Sequence, residues 1–171
     1  MVTTLKTIYT PITEDMVKDL EVGEMIMISG YIYTGRDAVL PKVVSLIKNN
    51  KLQQSGIELN GSVIFHTAVS PAGVGPTSSN KYEIESNIPT LSEAGVKLHL
   101  GKGSISKDTI ASLNKYNSVY AVIPPVTALL SSKIKSQAVA AFPEEGMEAL
   151  HLLEVDDFPA IIAVAHGKSI Y

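Results

Sequence analysis

The sequence predicts an α/β domain with layered packing, on three observations. Apolar runs of strand length alternate with amphipathic helical stretches along most of the chain. Several runs, such as Val119-Tyr120-Ala121-Val122-Ile123, are apolar throughout, the pattern of strands buried on both faces. The chain has 171 residues, 45% hydrophobic and 18% charged, enough for one full core and tight for two, so one domain over 1–171 is expected.

The elements follow in order. Thr13, with Glu14 and Asp15 behind it and then Met16, Val17 and Leu20, reads as a short capped helix with acid in its first turn. Residues 25–33 form a strand that runs out into Thr34-Gly35-Arg36-Asp37. There Gly35 offers a backbone conformation closed to other residues, and Asp37 is placed to cap a helix over 37–49 whose regular part starts near Pro41. Asn60-Gly61 signals a turn before a strand over 62–68. Residues 70–80 are a long loop rich in Gly, Pro and hydroxyls, a length that tends to be functional. A short helix over 88–94 has Pro89 in its first turn and Gly95 as its stop. The strand 96–100 ends in Gly101-Lys102-Gly103-Ser104, and Ser106 caps a helix through Ile110, Leu113 and Tyr116. A strand over 119–123 is stopped by Pro124-Pro125, and a helix over 126–133 follows. Strands over 138–142, 151–155 and 160–165 complete the sheet. The first half is more β-rich than a regular doubly wound fold.

Composition excludes several functions. A formal charge of −3 gives no field for nucleic acid, and no lysine cluster stands beside aromatics. No apolar run reaches membrane-spanning length, and the first residues lack a signal-peptide pattern, so the cytoplasm is the expected location. With no cysteine the chain has no disulfide, no thiol nucleophile and no thiolate ligand. Its four histidines, His66, His99, His151 and His166, form no local metal motif. His66 follows Phe65 and His99 alternates with Leu98 and Leu100, and both read as satisfied core or interface residues.

Three segments carry unusual chemistry for their position: Thr34-Gly35-Arg36-Asp37, Gly75 to Lys81, and Gly101-Lys102-Gly103-Ser104. In layered α/β folds, loops at strand ends gather at one rim, where ligands bind. Arg36 is the only arginine of the chain, and its planar fork of donors suits a carboxylate. An arginine, two lysines, a threonine and glycine-turn N–H groups suit a small di-acid. Taken alone, Arg36 also reads as an ion-pair partner, Thr77 as a turn hydroxyl and Asp37 as a helix cap.

Ile28-Ser29-Gly30, Thr34-Gly35-Arg36-Asp37-Ala38, Gly75-Pro76-Thr77-Ser78-Ser79, Gly101-Lys102-Gly103 and Gly146-Met147-Glu148-Ala149 come in an order that resembles the β subunit of class I fumarases. The same block is the C-terminal domain of single-chain class I fumarases and the β subunit of L-tartrate dehydratase. The tail, Asp157-Phe158-Pro159-Ala160 through His166-Gly167-Lys168-Ser169-Ile170-Tyr171, is similar too. The resemblance implies a swivelling β/β/α three-layer domain like the mobile domain of aconitase-type hydro-lyases. It implies a [4Fe-4S] cluster held by a partner α subunit, none held here, and reversible hydration of a small dicarboxylate, fumarate/malate first and tartrate next. On it, Arg36 grips a substrate carboxylate, Thr77 serves in proton transfer, and Lys102 and Lys81 bind carboxylate, with Asp37 and Ser78 as further candidates. Activity would then need both subunits, and isolated chains would be able to pair as a homodimer. Three departures stand at the site: Lys81 where the family pattern has an arginine, Val39-Leu40-Pro41-Lys42 where it has Ala-His-Lys or Ala-His-Arg, and Pro124-Pro125-Val126-Thr127-Ala128-Leu129 where it has Gly-Gly-Ala-Ala-Ala-Leu. They leave a second reading open, a non-catalytic small-acid-binding or regulatory module of the same fold.

Overall fold

The computed structural model describes residues 5–70, 73–77, 81–123 and 127–171, and it is organised around one ten-residue strand, β2 (Met25–Thr34). Ile26, Ile28 and Ile32 of β2 are fully buried, as β-branched residues are when they pack a pleated face. β1 (Leu5–Tyr9) pairs in parallel with its first half, from Leu5 opposite Met25 to Tyr9 opposite Ser29. β3 (Val63–Phe65) pairs in parallel with its last two residues, Tyr33 opposite Ile64 and Thr34 opposite Phe65. β9 (Leu150–Ala165) runs antiparallel along β2, from Met25 opposite Ile161 to Thr34 opposite His151.

β3 continues in parallel to β6 (Leu98–Gly101), and β6 to β7 (Val119–Val122). β7 then pairs antiparallel with the far end of β9, Tyr120 opposite Val164. The circuit β2, β3, β6, β7, β9 and back to β2 is closed. The sheet thus curls into a small barrel, which removes the free edges of its five strands. β8 (Ile134–Ala141) and β10 (Lys168–Ser169) are further strands on β9. β4 (Thr67–Ser70) and β5 (Gly73–Thr77) form a separate antiparallel pair.

The barrel is filled by one cluster that includes Ile26, Ile28, Ile32, Phe65, Leu98, Leu100, Ala121, Leu153, Phe158 and Ile162. Phe65 and Phe158 meet edge to face with ring centroids 5.6 Å apart. Helices pack outside. α2 (Leu40–Lys48) and α4 (Lys81–Glu93) bring Leu40, Val43 and Leu91 onto Tyr33 and Ile64, while α5 (Lys107–Lys115) brings Leu113 onto Tyr120 and Ala163. α1 (Glu14–Lys18), α3 (Leu52–Ser55) and α6 (Thr127–Ser132) are short. Among the described residues no helix is long and apolar enough to cross a membrane.

Several expectations change. The strand expected over 62–68 breaks at His66 into β3 and β4, and the loop expected over 70–80 contains β5. The helix expected over 88–94 begins at Lys81 and holds Pro89 in its interior. Burial of Ile88 and Leu91 against the barrel outweighs the lost hydrogen bond. The strands expected over 151–155 and 160–165 are one, bent beside a bulge at Ile28 and Gly30, where the Ser29 hydroxyl donates to Asp156 Oδ1 (3.3 Å) and accepts from Asp157 N–H (3.0 Å). Gly30 is required there. Its φ is +114°, and a Cβ would lie 2.3 Å from Thr10 Oγ1, the atom that accepts Tyr31 N–H at 2.8 Å.

His66 and His99 are indeed core residues, each fully buried. A chain runs from Ser92 Oγ of α4 to His99 Nε2 (3.0 Å), and from His99 Nδ1 to His66 Nε2 (3.2 Å), while His66 Nδ1 has no partner among the described residues. Burial pushes His66 down to about 4 and His99 well below its ordinary value. Both are therefore neutral when folded and protonate near the ordinary 6.5 when unfolded. The unfolded chain binds more protons in that window, so stability falls as pH drops from 6.5 toward 4. Thermal melts from pH 7 to pH 5 should show this fall, and the double change His66→Leu, His99→Leu should flatten it. Separately, Phe158→Ala should lower stability in urea by about 3–5 kcal/mol, because it empties the centre of a closed barrel.

Candidate functional site

β2, β3, β6 and β7 are mutually parallel, so their carboxyl ends share one rim, where layered folds place their ligands. Backbone bonds fix the levels. Gly35 N–H donates to Phe65 O (3.1 Å), His66 N–H donates to Leu100 O (3.1 Å), and Gly101 stands opposite Val122. One residue further lie Arg36, Thr67 and Lys102. Thr77, the last residue of β5, pairs with Thr67, so the backbone of Thr77 joins the same rim. Lys81 opens α4. Ser78 lies outside the described residues.

Arg36 is carried at the end of β2 where the chain passes close under β9. A Cβ on Gly35 would come within 2.8 Å of Val39 Cγ2 and 3.3 Å of Leu150 Cδ1. Glycine is needed there for space, and no positive φ is involved, contrary to the expectation from sequence. Across this contact the connection from β8 to β9 forms a 3-10 turn, Pro143–Glu148, which ends at Glu148. Arg36 Nε donates to Glu148 Oε1 at 2.8 Å and to Oε2 at 2.9 Å, and Nη2 donates to Oε1. Both side chains are about three-quarters buried. The Glu148 carboxylate raises the proton affinity of the guanidinium further. Lys42 of α2 ties the same turn down, with Nζ 2.6 Å from Glu145 Oε1, 3.6 Å from Glu144 Oε1 and 5.3 Å from the centre of the Phe142 ring.

Asp37 does not cap α2. Pro41 sits in the helix's first turn, so the cap position falls on Val39, which makes no side-chain cap, and Asp37 is exposed in the preceding turn. The Arg36 carbonyl accepts from Val39 N–H and Leu40 N–H instead. Lys102 is exposed on the turn after β6, and the buried Tyr120 hydroxyl donates to Lys102 O (2.9 Å) and Gly103 O (3.2 Å). Burial raises the Tyr120 phenol well above its ordinary value, so it stays a donor at neutral pH.

Glu148 is the residue that sequence reasoning missed. It stands in Gly146-Met147-Glu148-Ala149, but its partner lies 112 positions earlier, beyond any local pattern. A cleft of about 660 Å³ lined by Pro11, Tyr31, Tyr33, Asn60, Ser62 and Lys97 lies elsewhere, beside the residues that precede β3 and β6 and thus away from the rim. The rim joins a guanidinium, an ammonium-bearing turn and a threonine-ended strand, a donor set for carboxylates. Among the described residues no group of three His, Asp or Glu side chains is placed to hold a metal ion.

Known proteins resemble this chain over most of its length. The chain is 32% identical to a putative L(+)-tartrate dehydratase subunit beta of Methanocaldococcus jannaschii, over 95% of this chain and 89% of that one. It is 27% identical to the L(+)-tartrate dehydratase subunit beta of Escherichia coli, over 96% and 86%. It is 31% identical to the anaerobic class I fumarate hydratase of Escherichia coli over 84% of this chain, which spans only 27% of that longer relative. The family model described as the fumarase C-terminus matches residues 3–171, and the chain belongs to that family.

Proposed function

We propose that this chain is the β subunit of a [4Fe-4S]-dependent hydro-lyase that reversibly hydrates or dehydrates a small dicarboxylate. The observation that carries the reading is the meeting of the Arg36, Thr77 and Lys102 positions on one rim of a chain in the fumarase C-terminus family. The two tartrate dehydratase relatives are named as beta subunits, which supports an α partner. With no cysteine this chain does not fit a thiolate-held cluster, so the cluster belongs to that partner. In this reading the chain swivels as a β/β/α unit against the α subunit, and fumarate/malate and tartrate are its candidate substrates.

Dehydration removes a proton from the carbon beside one carboxylate and hydroxide from the next carbon. Arg36 binds a carboxylate through two parallel N–H bonds and so fixes the substrate's rotation, which a lysine's point charge does not do. As the proton leaves, charge grows on the adjoining carboxylate, and a cation already in place stabilises it without reorganising. Lys102 and Lys81 bind the second carboxylate. Thr77 Oγ1 carries the proton in this reading, and an ammonium brought beside it would lower its proton affinity. Asp37 and Ser78 are further candidates in this reading.

The test is anaerobic co-expression with the cysteine-bearing α chain, cluster reconstitution and assay on malate, fumarate and the tartrates. Turnover of one of these is expected. Arg36→Lys should raise KM about tenfold with a smaller change in kcat, and Thr77→Val should lower kcat about a hundredfold with little change in KM. A reconstituted pair that dehydrates none of them overturns the enzymatic reading, and binding without turnover would instead favour the non-catalytic module.

A further inference from the structure

We infer that Glu148 is a positioning residue for Arg36, holding one edge of the guanidinium and so fixing the plane in which Arg36 meets a substrate carboxylate. The inference rests on the hydro-lyase reading above and adds a residue to its machinery. A guanidinium presents two separate forks of donors, one along Nε and Nη2 and one along Nη1 and Nη2. Glu148 engages the first, through Nε to both carboxylate oxygens and through Nη2 to Oε1.

Three features separate this pair from an ordinary surface ion pair. Lys135 and Asp156 show the ordinary case, 3.8 Å apart with both side chains more than half exposed, where flexibility and solvent leave little net effect. Arg36 and Glu148 are each only about a quarter exposed and are joined at two nitrogens. Glu148 also sits on a tied turn, since Lys42 holds Glu144 and Glu145 four and three residues before it. Finally, β9 begins at Leu150 and pairs His151 with Thr34, so the backbones bearing the two partners are locked in register. A long side chain held this way loses its rotamer freedom before the substrate arrives. The attached carboxylate also cancels most of the arginine's charge at long range. Recognition by Arg36 then depends on directed bonds to a planar carboxylate, and less on attraction of any anion.

The single arginine makes the test direct. In the full-length chain labelled with 15N-arginine, one Nε–H resonance reports the pair. It should be shifted from the free-arginine position and exchange slowly with water. In Glu148→Gln it should move toward that position and exchange about tenfold faster, with the melting temperature nearly unchanged. In the α–β complex Glu148→Gln should raise KM about tenfold while kcat changes less than about twofold, and it should add little to Arg36→Lys. Glu148→Asp, which keeps the charge and loses the two-point geometry, should share the KM defect and serves if the glutamine variant fails to fold. An Arg36 resonance that does not move, or KM defects that multiply in the double variant, would overturn the inference. A wild-type complex without turnover refutes the hydro-lyase reading instead, and the Arg36 resonance still decides whether Glu148 holds the guanidinium.

Discussion

The pairing of β9 with β2 is the constraint on which the rest depends. β2, β3, β6 and β7 run parallel and would otherwise form an open sheet with two exposed edges. β9 pairs with β2 along one part of its length and with β7 along another, which bends the sheet into a barrel. Closure fixes the packing, because the inward residues of every strand now face one another across a single small core. It also fixes the rim, since all four parallel strands must end on the same side. A slip of one residue between β2 and β9 would turn Ile26, Ile28 and Ile32 outward, and it would carry Glu148 away from Arg36.

Closure also explains how polar groups are tolerated so near the core. Beneath the rim, His66 and His99 stay neutral and bond to each other and to Ser92, so the layer under α4 carries no charge. Charged groups are instead found where they are paired and partly wet. Lys97, almost fully buried, pairs with Glu14 of α1, and that bond is the main reason the Glu14 carboxyl lies below its ordinary range. The pair ties the first helix to the entry side of β6, while the Arg36 and Lys42 pairs tie the β8–β9 turn to the start of α2. Each end of the barrel therefore has its own electrostatic clasp, and the two differ in what they leave exposed. At the rim the cations sit on turns beside strand ends, and at the entry side the ammonium is enclosed.

What the sequence made legible follows from the range of the physics involved. The caps at Thr13 and Ser106 were readable because the hydroxyl and the N–H it satisfies, on Met16 and Thr109, lie three residues apart. β2 was readable from its β-branched and aromatic run, and Thr34-Gly35-Arg36 from the change of chemistry where that run ends. The extent of α4 was not, since Pro89 disfavours helix locally and only packing on the barrel overcomes that preference. Asp37 looked like a cap because its residue type is right, and Pro41 moved the helix start beyond its reach. β1 and the hairpin of β4 and β5 depend on partners supplied by the fold. Glu148 belongs with these, as half of an ion pair assembled by barrel closure.

These differences bear on what the rim can select. A lone arginine on an open rim would draw any small anion, and sulfate or phosphate would compete with a di-acid. With Glu148 holding the guanidinium in one plane, the long-range pull is weak and a flat, two-oxygen group is favoured. Lysines make no such demand, because an ammonium accepts a partner from any direction. In the proposed enzyme the two carboxylates of a substrate are therefore held unequally, one by orientation at Arg36 and one by charge at Lys102 and Lys81. Two substrates that place one carboxylate alike and differ beyond it, as malate and tartrate do, would be told apart on the lysine side. That is the side on which Lys81 departs from the family's arginine. Substrate choice in the proposed enzyme is thus expected to turn on the start of α4, while the strand end bearing Arg36 holds the carboxylate that malate and tartrate place alike.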